Sequence, residues 1–437
     1  MSVIVRIAPS PTGYLHVGNI RTALVNFLFA RKLGGKFLLR LDDTDQDRSK
    51  PEFASAIKED MEWLGMIWDD KIFKQSDRLA EYEKAKQKLI ASGRLYPCYE
   101  TSDELDIKRK MAASRGLPPI YDRAALKLTE EQKKKLESEG KKPHYRFLLE
   151  DKPIIWQDMI RGEVKFGGTS FSDPVLVRED GVPLYTIASV VDDGDYHISH
   201  IIRGEDHVSN TAVQIQIFEA LGYTVPTFGH LALLKTKDGE LSKRVGGNDI
   251  RSLRDEGFEP MAVMSYLGKI GTSDAIDAFG SMDALAASFD INKFGRSPAN
   301  YDEVELERIN QKLVHGLDFA AVQSRIKGDA TFWNSVRANL KKVKDASEWW
   351  NILNQFERPS ATLDKDFIAT AANLLPPEPW SDASWNEWTN AVKDATGKKG
   401  KELFMPLRVA LTGMEHGPEM KVLFMLLGRN KVLERLH

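Results

Sequence analysis

Two short stretches carry the side chains best suited to chemistry. The first, RIAPSPTGYLHVGN, spans residues 6–19 and sets His16, Gly18 and Asn19 in an irregular loop. A histidine there can donate a hydrogen bond to a phosphate oxygen, and a glycine leaves room for a flat base against the backbone. The second, KDGELSKRVGG, spans residues 237–247 and brings Ser242, Lys243 and Arg244 together between glycines. Two adjacent cations suit negative charge that develops only in the transition state of a phosphoryl or nucleotidyl transfer. Each stretch alone has a plainer reading. A loop histidine is more often a satisfied surface or core residue, and a Lys-Arg turn is commonly just an exposed basic turn.

The elements around these loops favour the chemical reading. Residues 3–7 read as a buried strand, and residues 20–32 carry an apolar stripe at Ile20, Leu24, Phe27 and Leu28 that stops at Gly34-Gly35. KFLLRLDD is then a second strand. Strand, loop, helix, strand opens a doubly wound α/β domain, and its strand-to-helix loop is where nucleotides bind. The texture turns basic and proline-interrupted after Tyr96, with RFLLED, IIWQDMI and GEVKFGG as short strands of a mixed α and β insertion. The α/β pattern resumes afterwards. LYTIASVVDD starts a further strand or helix, HISHIIRGEDH is an isoleucine-rich strand, residues 211–221 are helical, and FGHLALL is another strand. Beyond about Arg251 strand signals almost vanish and helical periodicity takes over.

Bulk composition narrows the class. The 437 residues exceed one ordinary core, so several domains are expected. No apolar run approaches the roughly 20 residues of a spanning helix, and the opening MSVIVRIAPS has neither a secretory nor a transit pattern, so the expected home is the cytoplasm. The lone Cys98 excludes an internal disulfide and reads as an inert, partly buried thiol. The net charge of −3 hides local basic excess: twelve Lys or Arg against five Asp or Glu over residues 108–146, and nine against five from Ala391 onward. Such stretches can track a phosphate backbone, or can be solvated helix faces.

The paired His-x-Gly-x and Leu-Ser-Lys-Arg stretches resemble the two signatures of class I aminoacyl-tRNA synthetases. Five ordered motifs, RIAPSPTGYLHVGNIRTAL, LLRLDDTD, LYTIASVVDD, HIIRGEDHVSNT and PLRVALTG…LLGRNKVLERL, resemble the bacterial glutamyl-tRNA synthetase family from residue 3 to the last helix. The resemblance implies an α/β fold: a Rossmann-type parallel-sheet catalytic domain split by an α+β insertion, then an all-helical C-terminal region. The implied domains are 1–96 (first catalytic half), 97–175 (inserted, gripping the tRNA acceptor stem), 176–240 (second catalytic half), 241–318 (stem-contact region with the Leu-Ser-Lys-Arg loop) and 319–437 (helical, binding the anticodon).

The implied reaction condenses L-glutamate with ATP to glutamyl-adenylate and diphosphate, then passes the glutamyl group to the 3′ end of tRNA-Glu with release of AMP. Whether tRNA-Gln is also charged stays open. The resemblance assigns His16 to the α-phosphate, Gly18, Asn19, Ser242 and Lys243 to ATP, and Lys243 with Arg244 to the departing diphosphate. It sets Arg6, Arg203 and Tyr185 around the glutamate side-chain carboxylate, and Ser10 and Asp42 around its backbone, with Asp42 facing the ammonium. The DDTD that begins at Asp42 can equally be a helix cap or a turn. Mg²⁺ accompanies ATP, and a monomer is the default. The chain departs from the family at Glu240, where lysine is usual, at Asp42, where many members carry glutamate, and at Cys98, which has no partners for a zinc site, so no zinc is expected. The competing readings are a glutaminyl-tRNA synthetase, whose anticodon region is built from β-barrels, and a non-catalytic tRNA-binding paralogue, which would have an eroded site.

Overall fold

A computed structural model describes residues 2–236, 239–240, 249–355 and 363–437. They form two compact units, Met1–Leu253 with Met264–Asp302, and Arg254–Val263 with Glu303–His437.

In the first unit, strands β1 (Ile4–Ile7), β2 (Lys36–Leu41) and β3 (Phe73–Lys74) run parallel in that spatial order, with Arg6 opposite Leu38. Side chains alternate along a strand, so Arg6 and Arg40, two residues beyond Leu38, leave the same face. Helix Val17–Lys32 crosses between β1 and β2 and is buried over most of its length, which is why its apolar residues spread beyond one stripe. The return into β2 needs glycine at position 35, because a Cβ there would meet Val3 O at 2.4 Å.

The next five strands are β4 (Leu95–Cys98), β5 (His144–Phe147), β6 (Ile154–Asp158), β7 (Gly162–Phe166) and β8 (Val175–Val177). They divide between two sheets. β4, β5 and β8 pair antiparallel among themselves, whereas the β6–β7 hairpin joins β9 (His200–Gly204) and β10 (Thr227–Leu231). β10 lies between β9 and β6, parallel to both. The stretch read from sequence as a self-contained insertion at 97–175 therefore contributes β6 and β7 to the sheet that holds β9. That sheet abuts β1: Ser199 N donates to Ile4 O at 2.9 Å and Ile4 N to Ser199 Oγ at 2.8 Å. The LYTIASVVDD stretch, whose sequence fits either a strand or a helix start, is a helix, Tyr185–Asp195, buried without interruption from Ile187 to Gly194. Burial on all sides removes the polar face by which a helix announces itself.

The second unit is built from helices around a core that includes Trp333, Trp388 and Phe424. Helix Glu303–Gly316 belongs to it and lends Val314 to that core, so the unit starts before residue 319. Among the described residues no helix is long and apolar enough to cross a membrane.

Candidate active site

His16 ends the loop after β1 as the N-cap of helix Val17–Lys32. Its Nδ1 accepts from Gly18 N at 3.1 Å and Asn19 N at 3.3 Å, while Asn19 Oδ1 accepts from His16 N at 3.3 Å. This is a reciprocal capping box with histidine in the usual Ser/Thr position. With Nδ1 accepting, the neutral ring carries its proton on Nε2. A Cβ at Gly18 would lie 2.9 Å from His16 Cε1, so glycine there is first required by the histidine's own pose. The chain re-enters at Asp249, which forms an antiparallel bridge with His16, and Ile250 N donates to Leu15 O at 3.1 Å. Ser242, Lys243 and Arg244 lie outside the described residues, as does the side chain of Glu240.

Behind this loop lies a buried network of matched charge. Arg6 on β1 clasps Asp193 with Nε and Nη2 at 3.1 and 3.2 Å. Arg40 on β2 donates to both oxygens of Asp42 at 2.6 and 3.2 Å and to Asp193 at 2.7 Å. Asp192 accepts from Gln75 at 2.9 Å, Arg78 at 2.7 Å and Tyr82 at 3.0 Å. Arg6, Arg40 and Arg78 thus face Asp42, Asp192 and Asp193. Burial alone would raise the Asp193 carboxyl, but Arg6 and Arg40 hold it below its ordinary value. Burial raises Asp42, with Arg40 opposing. Asp42 is neither a helix cap nor a turn residue: it is a buried member of this network.

Arg203 on β9 is different. Only 5% exposed, it donates Nη1 to Tyr185 Oη at 2.9 Å and Nη2 to Thr211 Oγ1 at 2.6 Å and Gln214 Oε1 at 2.7 Å. All three acceptors are neutral, its Nε has no partner, and no carboxylate among the described residues reaches it within an ion-pair distance. Burial lowers its pKa, as expected for an uncompensated cation. Arg21 nearby spends its fork on two main-chain carbonyls, Ala232 O at 2.7 Å and Ile270 O at 3.3 Å.

These groups open on one cavity of about 510 Å³ that Arg6, Ser10, His16, Gly18, Asn19, Asp42, Tyr185 and Arg203 all line. The structure therefore brings together every expected site residue that it describes. A second cavity, of about 780 Å³, shares Ser10, Asp42 and Tyr185 with the first and extends past Thr44, Arg48 and Lys86. The arrangement offers a buried cation and a buried anion at separated points, beside a helix N-terminus and an imidazole N–H. Such a site can orient a zwitterionic amino acid with an anionic side chain against a polyphosphate. Sequence reasoning missed Arg40, Asp192, Asp193, Thr211, Gln214, Asp158 and His230. The available signal was charge inside apolar runs, as in KFLLRL and IASVVDD.

Comparison with known proteins agrees with this architecture. The family described as tRNA synthetases class I (E and Q), catalytic domain, matches residues 2–308, and the anticodon binding domain family matches residues 300–437. "Glutamate--tRNA ligase 2" of Methylobacterium sp. (strain 4-46) is 52% identical over 100% of this chain and 99% of its own length. "Glutamate--tRNA ligase" of Azospirillum brasilense is likewise 52% identical, with the same coverage. The crystal structure of a glutamate tRNA ligase from Elizabethkingia meningosepticum, in complex with its amino acid, superposes with a TM-score of 0.88 at 27% identity, covering 100% of this chain and 98% of that one. The chain belongs to the class I tRNA synthetases and, within them, to the bacterial glutamate–tRNA ligase family.

Proposed function

We propose that the cavity of about 510 Å³ is where this glutamate–tRNA ligase binds L-glutamate and ATP and forms glutamyl-adenylate. The activity is ATP-dependent ligation of glutamate to tRNA, releasing AMP and diphosphate. The observation that carries the site assignment is Arg203, a buried guanidinium with only neutral partners. A substrate carboxylate supplies the missing anion and can take the planar fork bidentately. A neutral amide cannot, and this argues against the glutaminyl reading. Tyr185 holds Arg203 from one side. Arg6, its charge already met by Asp193, contributes a guanidinium of fixed orientation at the same end of the cavity, while the compensating charge comes from Arg203. Asp42 faces the ammonium, and Ser10 bonds the amino-acid backbone.

His16 donates from Nε2 to the α-phosphate as it becomes pentacovalent, with its ring held by the cap. Gly18 and Asn19, at the helix N-terminus, lie along the nucleotide. Ser242, Lys243 and Arg244 meet the phosphates, the two cations neutralising the departing diphosphate. The protein contributes no covalent nucleophile, so position and charge compensation supply the rate. Mg²⁺ accompanies the ATP phosphates, which supply the hard oxygen ligands it prefers. The 3′-terminal ribose of tRNA enters through the neighbouring cavity of about 780 Å³, whose shared wall at Ser10, Asp42 and Tyr185 opens on the activated carbonyl. The basic stretch between residues 108 and 146 holds the acceptor end, and the helical second unit reads the anticodon. The work is done in the cytoplasm, by a monomer.

The deciding experiment is glutamate charging of purified tRNA-Glu and tRNA-Gln side by side, with glutamine as the control amino acid. Charging of tRNA-Glu alone defines a discriminating enzyme. Equal charging of tRNA-Gln means that another enzyme must amidate the product. Absence of glutamate transfer to either tRNA overturns the function.

A further inference from the structure

A second buried chain of hydrogen bonds ends on Arg203. Asp158, the last residue of β6, accepts at Oδ1 from the backbone N–H groups of Ile160 (3.0 Å), Arg161 (3.0 Å) and His230 (3.1 Å). Its Oδ2 meets His230 Nδ1 at 2.5 Å. A carboxylate loaded with so many donors is ionised, which makes His230 Nδ1 the donor and leaves Nε2 as an acceptor. His230 Nε2 lies 2.8 Å from Thr211 Oγ1. The threonine proton therefore points at the imidazole in preference to the more distant main-chain carbonyl of His207 (3.3 Å), and the oxygen lone pairs point at Arg203 Nη2, 2.6 Å away. The polarity of the chain is fixed from end to end. Asp158 and His230 have fully buried side chains, and neither lines the cavity of about 510 Å³.

The chain anchors Arg203 to a carboxylate two groups removed, without letting that carboxylate touch it. Arg6 shows the alternative, since Asp193 sits directly on its fork. An arginine treated that way in the Arg203 position would present a neutralised surface, equally suited to an amide. We propose that His230, held by Asp158, is a specificity-determining positioning residue: it fixes the Thr211 hydroxyl so that neutral acceptors alone orient Arg203, whose charge is reserved for the side-chain carboxylate of glutamate. This rests on the reading of Arg203 as the carboxylate-binding group. Burial lowers the His230 pKa, so the ring adds no competing positive charge behind Arg203 at neutral pH.

The test is steady-state aminoacylation by the full chain with tRNA-Glu, varying glutamate and ATP in turn, with glutamine as competitor. Thr211→Val keeps shape but removes the hydroxyl, and is expected to raise KM for glutamate by about tenfold or more. KM for ATP should stay within about twofold, and the preference for glutamate over glutamine should narrow. Thr211→Ser restores the hydroxyl and should restore both values. His230→Gln, which can present an acceptor near the place of Nε2, should be milder than His230→Asn, which serves Asp158 but falls short of Thr211. Arg203→Lys serves as the control. If it raises KM for glutamate while Thr211→Val does not, the relay is refuted and the carboxylate reading survives. If neither moves it, both fail. Parallel rises in KM for glutamate and ATP, unrelieved by Thr211→Ser, reduce the relay to packing and overturn the proposal.

Discussion

Replacing Arg203 and Arg6 in turn by glutamine separates a cation left for the substrate from one already paired within the protein. Arg203 is buried against Tyr185, Thr211 and Gln214 with no anion, so the free enzyme already bears its desolvation. Removing one partner of a buried, hydrogen-bonded charge pair costs about 2–5 kcal/mol of binding. At 1.4 kcal/mol per tenfold, Arg203→Gln should lower kcat/KM for glutamate by about 30- to 4,000-fold. KM for ATP should change by less than about twofold, because the nucleotide meets His16 and the helix N-terminus instead. Thermal stability without substrate should hold steady or rise, since an uncompensated buried charge has gone. Arg6→Gln should do the reverse in the stability assay: it strips Asp193 of one of its two guanidinium partners, and unpairing a buried carboxylate costs up to about 3–5 kcal/mol. Glutamate kinetics and thermal melts of both variants decide the matter. Arg203→Gln destabilising the free enzyme as much as Arg6→Gln, with glutamate and ATP affected alike, would refute the reasoning.

Three further outcomes are expected. Lys243→Ala should slow glutamyl-adenylate formation by about 100-fold or more with an unchanged melting temperature, measured by tRNA-dependent pyrophosphate exchange; an unchanged activation rate removes that lysine from the chemistry. Gly18→Ala drives a methyl to 2.9 Å from His16 Cε1, so it should expel the ring from its cap, costing about 1 kcal/mol of stability together with adenylate formation; normal kinetics would show that the ring's pose is unimportant. Asp158 is held down from 3.8 to about 2, with burial raising it and the His230 and backbone hydrogen bonds more than offsetting that. A depressed carboxylate stabilises the fold above its unfolded pKa and loses that contribution as pH falls through the folded one. The stability gap between the parent and Asp158→Asn should therefore close between about pH 4 and pH 2, and a gap constant over that window in a melting series contradicts the assignment.

The parts of this molecule legible in sequence are those fixed by neighbours along the chain. The strand, loop and helix around His16 are set by residues within a turn of one another, and the motif match carried Arg6, Ser10, Asp42, Tyr185 and Arg203 to the walls of one cavity. What escaped depends on distant partners. Arg6 and Asp193 are 187 positions apart, and Asp158 and His230 are 72 apart. Periodicity reports burial of one element and is silent on which elements meet. It also fails where burial is all-round, as in Tyr185–Asp195, and where a hairpin inside a locally distinct stretch joins another sheet, as β6 and β7 do. The difference between the two arginines was invisible for the same reason, since a residue type says nothing of whether its counter-ion is built in.

The pairing of β6 with β10 bears on how this chain can be cut and recombined. A graft exchanging residues 97–175 between relatives looks from the sequence like the transfer of a tRNA-gripping module. It would also carry Asp158 across, and with it the support of His230, Thr211 and Arg203. A chimaera meant to change tRNA contacts without touching amino-acid choice should keep the β6–β7 hairpin, Ile154 to Phe166, with the host that supplies β10.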